Sequence, residues 1–249
     1  MEEKNNVKQK KEKNNKTKIM VISLIILLII VVIAVAGYFL YRFKQELTLM
    51  NEASTIGQMD ILEQTIDMDI KTSGKYAKVE ETMKQYMKET SEKMKQLNNI
   101  YLDESIPQLI GIDNIKQDGP EFTVTLTKLE ETKKQVNELL AQITPLLEEQ
   151  TIMERIKQVP ELNQYYNGLY YKMIFGDGKT IDEFKIAKDQ LTQANTKYLE
   201  LIDLMKELLT FLKEHKTNWE IEQNQIMFDK QSVLGKYQEI IERITSLEE

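Results

Sequence analysis

The chain has 249 residues, 33 Lys and Arg against 40 Asp and Glu for a net charge of −7, 41% hydrophobic residues, 9 Gly, 4 Pro, one His and no Cys. Without cysteine there is no disulfide framework, thiolate zinc site, thiol nucleophile or lipid-modified cysteine, and a single histidine rules out a multi-histidine metal centre. Sparse Gly and Pro beside abundant Leu, Ile, Lys, Glu and Gln is a helical composition, so the predicted fold class is all-α: one N-terminal transmembrane helix followed by an antiparallel bundle of four to five long helices.

Charge divides the chain into three parts. Residues 1–18 carry seven Lys and three Glu and form a basic tail; residues 19–41 carry no charge; residues 42–249 carry 26 Lys and Arg against 37 Asp and Glu. The uncharged run, Ile19 to Tyr41, is 23 residues long. At about 1.5 Å per residue a helix of that length reaches roughly 34 Å, enough for a hydrocarbon core of about 30 Å. The run is therefore predicted to be a membrane span that contacts the lipid bilayer. Lys8, Lys10, Lys11, Lys13, Lys16 and Lys18 precede it, whereas only Arg42 and Lys44 follow closely. The positive-inside rule then places the N-terminus in the cytoplasm and residues 42–249 outside. Tyr38, Phe39, Tyr41 and Phe43 suit the outer headgroup level. A secretory signal competes with this reading, because Ala34-Val35-Ala36 is an A-x-A pattern and cleavage near Ala36 would release the domain. Absent cysteine, and absent N-x-S/T sequons after residue 41, suit an exported bacterial protein.

Beyond the span, the first helix is expected over about Gln45–Lys71, continuing the membrane helix, with Leu49, Ile56, Met59, Leu62, Ile66 and Ile70 inward and Thr72-Ser73-Gly74 ending it. The second, about Lys75–Leu102, carries Val79, Met83, Tyr86, Thr90, Met94, Leu97 and Tyr101 at steps of three and four. A loop with Pro107, Gly111 and Asp118-Gly119-Pro120 follows. The third helix is expected to begin at Pro120 and to bury Phe122, Leu126, Leu129, Val136, Leu140, Ile143 and Leu147; the alternation Phe122–Thr127 imitates a strand, but a lone strand has no partner. Thr151–Glu154 and Thr180–Glu183 match capping boxes, and Pro160 is expected to open a short helix to about Phe175. The longest helix should run to about Glu214. Thr217-Asn218-Trp219-Glu220 then caps a last helix carrying Val233, Tyr237, Ile240, Ile244 and Leu247.

Motifs for chemistry are weak. Gly176-Asp177-Gly178-Lys179-Thr180 ends like a phosphate loop, but Met173 stands where the first glycine is required and a helix precedes it. Asp113–Gly119 resembles a calcium loop, yet alignment puts Lys116 on a ligand position and Thr125 on the bidentate one. Glu104-Ser105 resembles the Glu-Ser pair of lytic transglycosylases, which implies a glycan-acting general acid, but the match covers two residues. His215, beside Lys213 and Lys216, suits a helix C-terminus. Pairs such as Asp67/Asp69, Glu80/Glu81, Glu130/Glu131 and Glu148/Glu149 read as solvated helix faces. No catalytic, cofactor or metal residue is assigned, and an acidic domain is a poor nucleic-acid partner.

The best candidate binding surface is aromatic: Tyr165, Tyr166, Tyr170 and Tyr171 in a Tyr-Tyr-Asn-Gly-Leu-Tyr-Tyr run, together with Trp219. Four tyrosines on one short helix are not expected all to point inward, and exposed Tyr recognises sugars, peptides or helices. The functional expectation is a membrane-anchored, extracytoplasmic, non-enzymatic interaction or scaffold protein of the cell envelope, binding a protein partner or its own copy through helices. The alternatives are a ligand-binding sensor-type bundle and, last, a cell-wall glycan enzyme using Glu104.

Overall fold

In the computed structural model the backbone is described for residues 2–176 and 179–248, and side chains for residues 29–176 and 181–247. The chain is predominantly helical: α1 (Glu2–Gly57), α2 (Lys75–Tyr101), α3 (Ile112–Asp118), α4 (Thr123–Leu146), α5 (Glu149–Lys157), α6 (Gln164–Phe175), α7 (Lys179–Glu214), a hairpin of β1 (Trp219–Glu222) and β2 (Gln225–Phe228), and α8 (Gln231–Glu248). Among the described residues, no helix is long and apolar enough to cross a membrane. The side chains of the basic tail and of the first ten residues of the apolar run, 19–28, lie outside the described ones.

α2, α4, α7 and α8 form an antiparallel series. Tyr86 and Lys93 of α2 reach Leu146 and Gln142 of α4 in reversed order. Lys188 and Lys133 then pair with Glu148 and Asp203 across α4 and α7 at 2.7 and 2.6 Å, and Arg243 of α8 meets Glu207 of α7 at 3.0 Å. The periodic stripes explain the packing. Val79, Met83, Tyr86 and Leu97 of α2, Leu129, Val136 and Ile143 of α4, Leu208, Leu209 and Leu212 of α7, and Ile240 and Ile244 of α8 are all buried. Spacings of three, four and seven recur in these sets, so one face of each helix leaves water.

α1 departs from the antiparallel expectation. Tyr41 meets Tyr76, Gln45 meets Ser73 and Glu52 meets Lys84, so α1 and α2 run side by side in the same direction. The helix expected to reach Lys71 stops at Gly57. Residues 58–74 instead return along α2: Ile61 and Gln64 carbonyls accept from Ser91 and Lys95, and the Asp69 carbonyl accepts from Lys84. Asp60 and Asp67 side chains accept from the backbone N–H of Leu62 and Asp69, at 2.9 Å each. These local Asx bonds compete with helix formation and turn the segment. Of the apolar positions assigned to that stretch, Ile66 is buried whereas Leu62 and Ile70 are exposed.

Further boundaries differ. The loop after α2 contains a 3-10 turn, Pro107–Ile110, and α3. α4 starts at Thr123, not at Pro120, and is helical through the segment of alternating residues. Asp118, the last residue of α3, caps α4 by accepting from Thr125 N–H at 2.7 Å, which gives the calcium-like loop a structural use. The sequence around Trp219 is a hairpin rather than a helix cap, with Trp219 opposite Phe228 and Ile221 opposite Ile226. Gln223 and Asn224 both adopt left-handed backbone, φ 48° and 68°, the twist that a two-residue hairpin loop requires. The expected box at Thr151 lies inside α5, whose N-cap is Glu148, and Asn163 rather than Pro160 opens α6 by accepting from Tyr165 N–H. Thr180 falls in the first turn of α7, with its side chain outside the described ones.

Gly74 precedes α2 at φ 61°. A Cβ there meets only the Tyr41 hydroxyl at 3.5 Å, so the cost of a side chain is conformational. Gly74→Ala is expected to cost about 1 kcal/mol and to lower the thermal midpoint by roughly 2–4 °C in a chain of this size, as checked by circular dichroism.

Candidate functional site

The tyrosine run of α6 lies in the seam where α1 leaves the bundle. α1 turns Arg42, Gln45, Leu49, Glu52 and Ile56 toward its neighbours, at steps of three and four. Gln45, Leu49, Glu52 and Ile56 are buried. Half of that buried face is polar, so its docking depends on matched partners as well as on apolar area.

Tyr165 and Tyr166 are half-buried against it. The Arg42 guanidinium sits 4.3 Å from the Tyr165 ring centroid, and the Tyr165 hydroxyl donates to Glu46 and lies 3.2 Å from the Tyr76 hydroxyl. Tyr76 makes edge contacts with Tyr41, Tyr165 and Tyr166 at centroid separations of 6.2, 6.5 and 5.3 Å. Burial, followed by the bond to Glu46, pushes the Tyr165 phenol above its ordinary range. Contact with Tyr165, followed by the bond to Glu46 at 3.3 Å, holds the Arg42 guanidinium more firmly protonated still.

Tyr170 points the other way and is fully buried. Among the described residues its hydroxyl has no hydrogen-bond partner, and burial raises its pKa. Tyr171 is half-buried and faces Phe175, with ring centroids 5.0 Å apart. Trp219 belongs to a different cluster: its ring stacks on Phe122 at 6.3 Å and its indole N–H donates to the Leu212 carbonyl at 2.7 Å. The structure thus joins Tyr165 and Tyr166 in one aromatic set, places Tyr170 and Tyr171 in the adjoining core, and keeps Trp219 apart.

Beside the tyrosines lies a charged knot. Glu80 and Lys84 are fully buried, which corrects the expectation of a solvated face for Glu80, while Glu81 is exposed; an i, i+4 pair looks the same on a surface as in a core. The Lys84 ammonium contacts Glu52 and Glu80 at 2.9 Å each and donates to the Asp69 carbonyl at 2.6 Å. Glu80 also accepts from the Lys71 and Thr72 N–H groups and from the Thr72 hydroxyl at 2.8 Å, while the Lys71 ammonium reaches Glu52 at 2.8 Å. Burial opposes ionisation of both carboxylates, yet the bonds from Lys84 and its neighbours prevail and leave Glu52 and Glu80 below the usual carboxylate range. Burial likewise opposes the Lys84 charge, and the two carboxylates overcome it, raising its pKa.

A cavity of about 290 Å³ opens between α2 and the N-terminal half of α7. Tyr86, Met87, Thr90 and Met94 form one wall and Phe184, Ala187 and Leu191 the other. Its hydroxyl protons are already used: the Tyr86 hydroxyl donates to the Leu146 carbonyl and the Thr90 hydroxyl to the Tyr86 carbonyl. Glu183 supplies a carboxylate to the lining.

Other motifs fall elsewhere. Glu104 is exposed in the turn before Pro107, without the apolar enclosure that a carboxylic general acid needs. His215 follows α7 with its ring against Phe211, and Lys213 and Lys216 beside it pair with Glu121 at 3.1 and 2.8 Å. Gly176 ends α6, so a helix precedes the phosphate-loop-like run, whose Asp177 and Gly178 lie outside the described residues. Among the described residues no group of three or more His, Cys, Asp or Glu is placed to hold a metal. No family model, curated protein or solved structure matches the chain.

The seam and the knot beside it generate predictions. Lys84→Met leaves Glu80 buried without a cation, while Glu52 keeps Lys71, and is expected to cost about 3–5 kcal/mol, measured by urea denaturation. In the parent chain the carboxylate contribution should be complete above about pH 4.5 and decline as pH falls through the lowered folded pKa values, while the Lys84 contribution should persist until pH rises through its raised one. Tyr170→Phe removes a buried hydroxyl without a partner and should leave stability unchanged or raise it by about 1 kcal/mol, whereas Tyr165→Phe breaks the bond to Glu46 and should lower it by about 1 kcal/mol.

Proposed function

We propose that the chain is a single-pass membrane-anchored, non-enzymatic scaffold of the cell envelope. In this reading residues 1–18 are cytoplasmic, 19–41 span the bilayer, and 42–249 form an extracytoplasmic bundle that meets a protein partner or a second copy through its helices. One observation carries it. Ile29, Ile30, Val31, Val32 and Ile33 are 50, 57, 52, 59 and 66% exposed, and five consecutive residues at about 100° each point in every direction around a helix. A helix that is apolar all round and covered by no protein calls for an apolar solvent. Tyr38, Phe39, Leu40, Tyr41 and Phe43 are exposed as well, and among the described residues the contacts to the bundle begin with the Tyr41 hydroxyl on Ser73 and Arg42 over the Tyr165 ring.

The ligand-binding sensor reading draws on a separate observation, the apolar cavity between α2 and α7. The glycan-enzyme reading gains nothing from the exposed position of Glu104.

Extraction and proteolysis test the anchor. With the full chain expressed in a bacterium, the protein should remain in the membrane pellet after alkaline carbonate. Protease added to intact cells should digest residues 42–249. Release by carbonate, or a protected domain, overturns the assignment; cleavage near Ala36 would instead yield a mature chain beginning at Gly37 in the medium.

A further inference from the structure

The cavity between α2 and α7 has the properties of a site for an apolar tail. Apart from Glu183 at the rim, its walls offer no free hydrogen-bond donor, because the hydroxyls of Tyr86 and Thr90 donate to main-chain carbonyls. A ligand that needs directional polar contacts gains none here, while an aliphatic one loses nothing. Met87 and Met94 supply flexible, polarisable walls that adapt to a chain without a fixed shape. The volume, about 290 Å³, lies at the small end for ligand pockets and suits a single tail rather than a two-chain lipid.

α7 is built to admit it. In the stretch from Ile181 to Ala194 no side chain is fully buried, and the first buried residue is Asn195; beyond it Ile202, Leu204, Met205, Leu208, Leu209 and Leu212 pack without exposure. The half of the helix over the cavity is therefore held by few buried contacts and opens at lower cost than the half that packs on α4 and α8. Glu183 on that half disfavours a carboxylate head at the mouth.

Position indicates the route of entry. Tyr76 lies beside Tyr41 at the foot of α1, and the cavity residues of α2 are 86 to 94. Ten to eighteen residues of helix separate them, roughly 15–27 Å, which sets the cavity on the bundle side of residue 41.

We propose that this cavity binds the hydrocarbon chain of a single-tailed amphiphile whose head is not anionic, taken up from the aqueous side. This deepens the ligand-binding reading; the cavity itself is independent of the anchor, and only the route of entry rests on it. The test uses the full chain in phosphatidylcholine nanodiscs and three probes carrying a photoactivatable diazirine near the chain end: dodecanol, dodecanoate, and a phosphatidylcholine. Adducts are mapped by mass spectrometry. Dodecanol should label peptides spanning 83–97 and 183–191. That labelling should fall at least five-fold in Met94→Gln, which keeps the side-chain size but makes the wall polar, and in Ala187→Trp, which fills the gap; melting temperatures verify that both variants fold. Dodecanoate should label these peptides at least three-fold less than dodecanol, with Glu183→Gln closing the difference, and the phosphatidylcholine probe should mark only the 19–41 region. The proposal is overturned by dodecanol adducts missing from α2 and α7, by adducts unchanged in both variants, by equal labelling with the carboxylate, or by cavity labelling from the bilayer probe. Failure of the anchor is a different result: adducts absent from 19–41 with the cavity still labelled.

Discussion

An ammonium group with no access to water must be neutralised where it stands, and Lys84 is in that position. Its two carboxylate partners come from different places, Glu80 one turn away on α2 and Glu52 on α1, while its third partner is the Asp69 carbonyl of the returning segment. Three stretches of chain are thereby fixed around one charge. A buried ion pair adds little stability compared with apolar residues of equal size, because desolvating the ions offsets their attraction. Its effect is specificity: a slip of α1 along α2 leaves a charge buried without its counterpart, and alternative registers are penalised steeply.

The aromatic seam acts on the same joint from the other side. Tyr76 of α2 and Tyr165 and Tyr166 of α6 close around the segment of α1 that bears Tyr41, Arg42 and Glu46. The hydroxyls and the guanidinium supply direction, and the rings supply area. Between this seam and the buried lysine, α1 is gripped along the stretch from residue 41 to residue 56, while the described residues before it, 29–40, are exposed.

Much of the architecture is legible from the chain alone, and the misses have identifiable causes. The stripe from Val79 to Leu97 predicts α2 because a long amphipathic period has one interpretation. Met59, Leu62, Ile66 and Ile70 show similar spacing, yet Asp60 and Asp67 divert the backbone through side-chain bonds that spacing does not register. The hairpin escapes because its left-handed turn is Gln223-Asn224 rather than the Asn-Gly that advertises such turns. The Tyr165–Tyr171 cluster is conspicuous in sequence, but its partners Arg42, Glu46 and Tyr76 are 89 or more residues distant, so what it touches is a property of the fold. The cavity left no sequence signal at all, since Met87, Met94, Phe184 and Leu191 are ordinary members of helix stripes.

The parallel course of α1 and α2 has a mechanical consequence. A pull on the N-terminal end of α1 along its own axis loads the contacts of Tyr41, Gln45 and Glu52 simultaneously, sliding one helix past the other, rather than peeling them apart one after another. Joints arranged this way rupture at higher force than hairpin-like ones, because several bonds must fail together. Tension reaching residue 41 along α1 is thus shared at once among the contacts of Tyr41, Gln45 and Glu52 with the start of α2 and the residues before it.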